Sequence, residues 1–373
     1  MKFCFITTQH LSSHASMKRS LGMTPVLAGM GHEVVLLMQD HPENRTHARE
    51  LMGVECVFFP KKNMLTERLW KRNFIASRSF DIIIYNSLCW RNAVRNVGSS
   101  SAALALMEHC ELESSNKNTR LVRRASQSIL EWWSLFAFDG HICASRYLLD
   151  LMKRRAFSFK LRRVIFWSPY AVDDSVVTED TSLAVSPEIK GERKSIFHVG
   201  TVAKNYGCLF MLEGLKVLQL QRQDWRARFV GKGRDLEEAR RQVVQLGLQD
   251  YVVFDGYVAE DVMRDQLSRT NVFLSHLNDT EQDWARCPSK LYYYMAKGRP
   301  IVTSTVGENR VALGDSGFYY RADDPADFAR AVSDALDVRP GWAPGYSTES
   351  VTWSRRTEEF LRDLPPTMKK THE

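Results

Sequence analysis

Apolar runs of strand length alternate with segments of helical spacing from the first residues onward. "KFCFITT", "HEVVLLMQ", "VECVFFP", "FDIIIYNS", "GHICAS" and "RVIFWSPY" read as buried strands. Between and around them, "MKRSLGMTPVLAGMG", "SQSILEWWSLFAF" and "RYLLDLMKRR" have the spacing of helices. Near-continuous apolar strands joined through helices predict right-handed βαβ units and a parallel sheet. The pattern fails across 174–194, a polar stretch with Ser, Thr, Pro and Gly, which is read as a linker. It then restarts: "SIFHVGTV", "RARFVGKG", "YVVFDGYV" and "NVFLSHLN" as strands, "LFMLEGLKVLQLQ", "DLEEARRQVVQLG" and "EDVMRDQLSRT" as helices. The prediction is an α/β protein of two Rossmann-like domains, 1–173 and 195–348, with parallel sheets facing an interdomain cleft. "SVTWSRRTEEFLRDL" closes the pattern as an amphipathic helix within 349–366.

Composition narrows the class. The chain has 373 residues and a net charge of +7, which favours an anionic partner without choosing among nucleic acid, lipid and phosphorylated metabolites. Its seven cysteines are scattered, odd in number and without CxxC spacing, so neither a disulfide framework nor a structural zinc site is expected. The N-terminus lacks the long apolar region of a signal peptide, and the longest apolar runs are strand-sized. A cytoplasmic protein is expected, soluble or peripheral on the inner face of a membrane. HExxH, GxSxG and P-loop motifs do not occur, nor does any RRM, KH or zinc-finger pattern, so nucleic acid is not an expected partner.

Several short stretches carry candidate chemistry. In "CPSKLYYYMAKGRPIVTST" a helix beginning near Pro288 would set Lys290 in its first turn, where the helix dipole already places positive charge. A phosphate there would accept bonds from free backbone N–H groups and pair with the lysine; otherwise Lys290 is a solvated cation in a poor position. Lys290 and Tyr293 are three apart and share a face. "FVGKGRD" offers Gly231, Lys232 and Gly233 in a βα turn, and "HVGTVAKNYG" offers Gly200, Thr201 and Lys204. Either is as readily a plain turn as a phosphate loop. "TQHLSSHASMKRS" has no glycine but holds Ser13, His14 and Arg19, all able to bond oxygen atoms. In "MEHCELE", Glu108 and His109 are a potential base or orienting pair, although such a pair is more often structural. "MKRRAFSFKLRR" and "KKNMLTERLWKRNF" mix cations with apolar residues, a composition suited to anionic lipid or to a solvated surface.

Taken in order, these segments resemble the GT-B glycosyltransferases, most nearly the large family 4, over nearly the whole chain. "LAGMGHEVVLLM", "SPYAVDDS", "HVGTVAKNYG", "FVGKGRD", "VVFDGYVAEDV" and "PSKLYYYMAKGRPIVTSTVGEN" carry the resemblance. It implies a nucleotide-diphosphate sugar as donor, no metal or other cofactor, and a sugar- or lipid-linked acceptor, with a closing helix that crosses back onto the first domain. Surface polysaccharide, glycolipid or glycoconjugate synthesis is the implied setting, with retention of configuration. Lys290, Lys204, Lys232, Gly200, Thr201 and Ser304 would hold the diphosphate, and Gly231, Tyr257, Val258 and Tyr293 the nucleoside. His109, Glu108 and Glu281 would serve catalysis, and Ser13, His14 and Arg19 the acceptor. The family's paired glutamates fall at Ala285 and Tyr293, so a tyrosine stands where a carboxylate usually meets the ribose. That departure leaves room for a module that binds nucleotide sugar or a partner without turnover; a nucleotide-sugar epimerase on the same fold is the other alternative.

Overall fold

The computed structural model describes residues 1–8, 10, 17–92, 104–117, 119–178 and 193–366. The chain divides into two compact units. The first comprises Met1–Asp173, Ala285–Cys287 and Trp353–Glu373, and the second Asp174–Trp284 and Pro288–Thr352.

The first unit holds seven parallel strands: β1 (Lys2–Ile6), β2 (Glu33–Gln39), β3 (Glu55–Phe59), β4 (Ile82–Tyr85), β5 (Leu104–His109), β6 (Gly140–Cys143) and β7 (Val164–Trp167). They lie in the order β3-β2-β1-β4-β5-β6-β7. Helices α1 (Met17–Gly29), α2 (Pro42–Ala48), α3 (Met64–Ala76), α4 (Leu121–Ala137) and α5 (Arg146–Ser158) connect them. The central strands β1 and β4 are buried almost end to end, as expected of parallel strands covered on both faces. One core cluster joins Cys4, Ile6, Leu37, Ile83 and Tyr85 to Ile75 and Phe138. The closing helix α14 (Trp353–Asp363) packs on α1, where Gly22 is required: a Cβ there would stand 2.2 Å from the Trp353 ring.

The second unit holds β8 (Lys194–Val199), β9 (Trp225–Val230), β10 (Val252–Gly256), β11 (Val272–Ser275), β12 (Ile301–Ser304) and β13 (Phe318–Tyr320). All are parallel, in the order β10-β9-β8-β11-β12-β13. Its helices are α6 (Asp174–Thr178), α7 (Cys208–Gln221), α8 (Leu236–Gln245), α9 (Glu260–Ser268), α10 (Glu281–Ala285), α11 (Ser289–Ala296), α12 (Gly307–Leu313) and α13 (Pro325–Leu336). In both sheets the strand order reverses direction beside the first strand, the place where doubly wound sheets open a crevice for ligand.

Most predicted elements form; the differences are local. The polar stretch read as linker begins with the short helix α6, and its residues 179–192 lie outside the described residues. Helices α2 and α3 and strand β13 carried too little apolar periodicity to stand out in the sequence. No helix among the described residues is long and apolar enough to cross a membrane.

Candidate functional site

In the second unit, three successive strands end in glycine loops that touch through their backbones. Gly200 N–H donates to Val230 O (2.9 Å), Val202 N–H to Lys232 O (3.0 Å) and Gly231 N–H to Gly256 O (2.7 Å). A Cβ on Gly231 would stand 1.9 Å from Gly200 O, and one on Gly233 would stand 1.9 Å from Val202 O. Gly231 also has φ 137°, which L side chains rarely adopt. The glycines are therefore required by loop-on-loop packing, whatever else they do.

Helix α11 is anchored to the end of β8 beside these loops. Pro288 caps it without a side-chain bond, so Ser289 is its first helical residue and Lys290 its second. Tyr294 OH accepts from Val199 N–H at 2.9 Å, and its ring stacks on Phe273 at 4.4 Å. One turn earlier, on the same helix face, Lys290 Nζ reaches His198 Nε2 at 3.4 Å. A Cβ on Gly200 would lie 3.4 Å from Lys290 Nζ, so the loop and the ammonium group are neighbours. His198 Nδ1 bonds Leu274 O at 3.0 Å and so carries the proton, which leaves Nε2 as the acceptor nitrogen, although Lys290 Nζ lies almost as near Nδ1, at 3.5 Å. Burial first, and then the Lys290 charge, push the His198 pKa well below the ordinary histidine value. The cation in this first turn thus meets a neutral imidazole.

The remaining donor-side candidates differ in state. Lys204 Nζ pairs with Glu238 at 2.8 Å and its own N–H donates to Asp235 at 2.7 Å. Glu238 raises the pKa of Lys204. Lys232 is exposed, 5.3 Å above the ring of Tyr257, and Thr201 is exposed beside Gly200. Val258 and Tyr293 are half-buried. Ser304 is fully buried and its hydroxyl donates to Leu277 O at 2.7 Å, which leaves only its backbone N–H to meet a phosphate. Glu281 is exposed at the start of α10, whereas Asp283 is buried and braces Asn278 through bonds of 2.8 and 2.9 Å. Asn309 on α12 donates to Ser275 O, Ser275 Oγ and Thr303 Oγ1, and its buried Oδ1 has no hydrogen-bond partner among the described residues.

In the first unit the expected chemistry is corrected more sharply. Glu108 is wholly buried and accepts from Arg19 Nε at 2.7 Å, from Cys110 Sγ at 3.1 Å and from Asn86 Nδ2. Arg19, equally buried, also donates to Ser168 Oγ and O at 2.6 and 2.5 Å. Glu108 and Arg19 therefore form a structural pair with their bonding capacity committed to each other and to their neighbours. Neither is placed as a base or an acceptor ligand. His109 is buried at the end of β5 and bonds His141 through Nε2 at 3.0 Å. Burial, then Arg155, lower its pKa to about 3, so the ring is held neutral near neutral pH. Ser13 and His14 lie outside the described residues.

Residues 193–337 match the family model for glycosyl transferases group 1. No curated protein matches the chain significantly. Among solved structures, the chain is similar to a UDP-forming alpha,alpha-trehalose-phosphate synthase from Burkholderia vietnamiensis, at TM-score 0.70 and 11% identity, covering 100% of this chain and 99% of that one. It is similar to Anabaena HepE in complex with UDP, at TM-score 0.67 and 14% identity, covering 96% and 94%. It is also similar to the lipopolysaccharide outer core galactosyltransferase WaaB, at TM-score 0.68 and 15% identity, covering 97% and 99%. The chain has the GT-B glycosyltransferase fold.

Two residues at these strand ends were not indicated by the sequence. His198 lies in β8 and His276 directly follows β11, in segments read only as strands. His276 is held by Tyr320 OH at 2.8 Å and Asn278 at 3.1 Å, and it fills the space that makes Gly207 necessary. In both cases the signal was present only as a histidine at a strand's carboxyl end.

Proposed function

We propose that the protein transfers a glycosyl group from a nucleoside diphosphate sugar to an acceptor hydroxyl. In this reaction the bond from the anomeric carbon to the diphosphate oxygen breaks and a bond to the acceptor oxygen forms. The acceptor proton departs and the nucleoside diphosphate leaves. The chief requirement is a fixed set of positive groups at the leaving diphosphate. Lys290, in the first turn of α11 and beside Gly200, carries this reading. Its ammonium group and the first N–H groups of α11 would meet the developing charge. Lys232 and Thr201 border the same loops, and Lys204 joins them if it is released from Glu238. Tyr257, Val258 and Tyr293 would face the nucleoside, and Glu281 the sugar.

UDP is the first base to test, since HepE is seen with UDP and the trehalose-phosphate synthase is UDP-forming. We read the transfer as retaining, because Glu108 and His109 are withdrawn into buried pairs. The acceptor side is read as sugar- or lipid-linked, in glycoconjugate or surface-polysaccharide synthesis. The test is release of nucleoside diphosphate from a panel of nucleotide sugars with and without oligosaccharide and lipid-linked acceptors. Acceptor-dependent release supports transfer, while binding without release supports the second reading, a non-catalytic module. Tyr293, in place of a carboxylate, is the observation that favours that second reading.

A further inference from the structure

The carboxyl ends of β1 and β2 bring together a set of side chains that the transfer reading does not use. Thr7, just past β1, donates to Leu37 O of β2 through its N–H at 3.0 Å and its Oγ1 at 2.9 Å. The chain leaving β1 then carries His10, and the chain leaving β2 carries His41 and Glu43. Buried Asn44 donates to Gln39 O at 2.8 Å and so pins the first turn of α2 against the end of β2. His41 caps that turn in extended conformation, and its Nδ1 accepts from Glu43 N–H at 3.4 Å.

The three side chains converge. The ring of His10 stacks on that of His41, with centroids 4.3 Å apart, and His10 Nδ1 lies 3.5 Å from Glu43 Oε2. One ligand atom from each of the three residues lies within 4.8 Å of the other two. Among the described residues, no other three His, Cys, Asp or Glu side chains meet in this way. The two histidines are half-buried and Glu43 is exposed, so ions reach them from solvent. Arg45, the neighbouring cation on α2, is drawn aside: Asp40 holds it at 2.6 Å, and it lies 4.6 Å above the Phe58 ring.

We propose that His10, His41 and Glu43 bind a divalent transition-metal ion, zinc being the type case, which clips the segment after β1 to the start of α2. Two imidazoles and a carboxylate are a donor set that zinc takes with three protein ligands and water in the fourth position. The same set suits magnesium and calcium poorly, since they take oxygen ligands almost alone. Ligand atoms about 2.1 Å from a tetrahedral zinc stand about 3.4 Å apart, so these must close by roughly 1 Å. Rotation of the half-buried rings out of their stack supplies that movement, and the ion displaces the long contact between Glu43 N–H and His41 Nδ1. The site is built within the first unit alone, whereas the donor candidates stand in the second, so it does not rest on the transferase reading.

The test is calorimetric titration and thermal melting of the full chain, first stripped with chelator, with zinc chloride or magnesium chloride. Zinc is expected to bind and to raise the melting temperature, and magnesium to do neither. The double variant His10→Ala/His41→Asn should bind zinc more weakly by well over the roughly tenfold that loss of a mere supporting partner costs. Asparagine keeps the helix cap, so the variant's melting temperature without metal should match the wild type. If the double variant unfolds, His10→Ala alone decides. His47→Ala is the control: its ring pairs with Glu50 at 3.2 Å on the same helix, and zinc binding should be unchanged. Cobalt, as a coloured substitute, should give visible bands that the double variant loses, without the near-ultraviolet absorption of a thiolate ligand. No zinc-dependent rise in melting temperature, or undiminished binding by the folded variant, would overturn the proposal. So would an equal loss in His47→Ala, which marks diffuse surface binding, or a thiolate band, which places the ion on cysteine.

Discussion

Lys290 Nζ lies 3.4 Å from His198 Nε2, the ring nitrogen left as acceptor because Nδ1 donates to Leu274 O. The imidazole beside the ammonium group is itself neutral and adds no negative charge. Lys290→Ala should therefore leave the melting temperature nearly unchanged and reduce transfer by about two to three orders of magnitude, the usual effect of removing one electrostatic contact to a transition state. Lys290→Arg should retain part of the activity. Full activity in the alanine variant, measured as nucleotide release, would remove the lysine from the diphosphate site.

The buried histidines make stability fall in acid. His109 and His276 have pKa values lowered to about 3 and about 4, and those of His141 and His198 are well below the ordinary value. Burial is the leading cause in each. Above the unfolded value of about 6.5 neither state binds these protons, so they contribute nothing to the pH dependence. As pH falls below that value the unfolded chain takes up protons the folded chain refuses. Stability then drops by up to ~1.4 kcal/mol per pH unit per histidine, until the folded values are reached. Melting scans from pH 7.5 to 5 should show a progressive decline. A flat profile would mean that these rings are not neutral and buried.

Loop packing after β9 leaves no room for a methyl group. Gly231→Ala and Gly233→Ala each drive a Cβ to 1.9 Å from a backbone oxygen, so the loops after β8 and β9 must separate. Each change should destabilise by about 1–3 kcal/mol and weaken nucleotide binding. Gly247→Ala is the control: like Gly231 it has a positive φ, at 66°, but no atom lies within 4 Å of the added carbon. Denaturant titration of the three variants measures the difference.

Arg19 and Glu108 stabilise as a pair or not at all. Glu108→Leu alone leaves an uncompensated buried guanidinium and should cost about 3–5 kcal/mol, while Arg19→Met/Glu108→Leu should recover much of it. A single variant that folds normally but loses only kcat would instead return Glu108 to catalysis.

The fold was largely legible because parallel strands covered on both faces become apolar runs, as in "IIIY" of β4, and the intervening helices keep their spacing. What failed was anything that needs a direction or a distant partner. The period of α4 shows that Ile129, Trp132, Trp133 and Phe136 share a face, but not that this face points outward. Glu108 and His109 suggested chemistry by adjacency, yet Arg19 claims the first from 89 positions away and His141 the second. Lys290 was noticed because a cation in a first turn is out of place locally. Its neighbour His198 lies 92 positions away in a strand that gives no such signal.

The most direct test of the donor site is thermal stabilisation by UDP, GDP, ADP, TDP and CMP, for the wild type and Lys290→Ala side by side. A ligand that binds only the native state raises its melting temperature. One nucleotide, with UDP the first candidate, should stabilise the wild type clearly and the variant far less. If no nucleotide shifts the wild type, or if the variant shifts equally, Lys290 and the glycine loops do not form a nucleotide site.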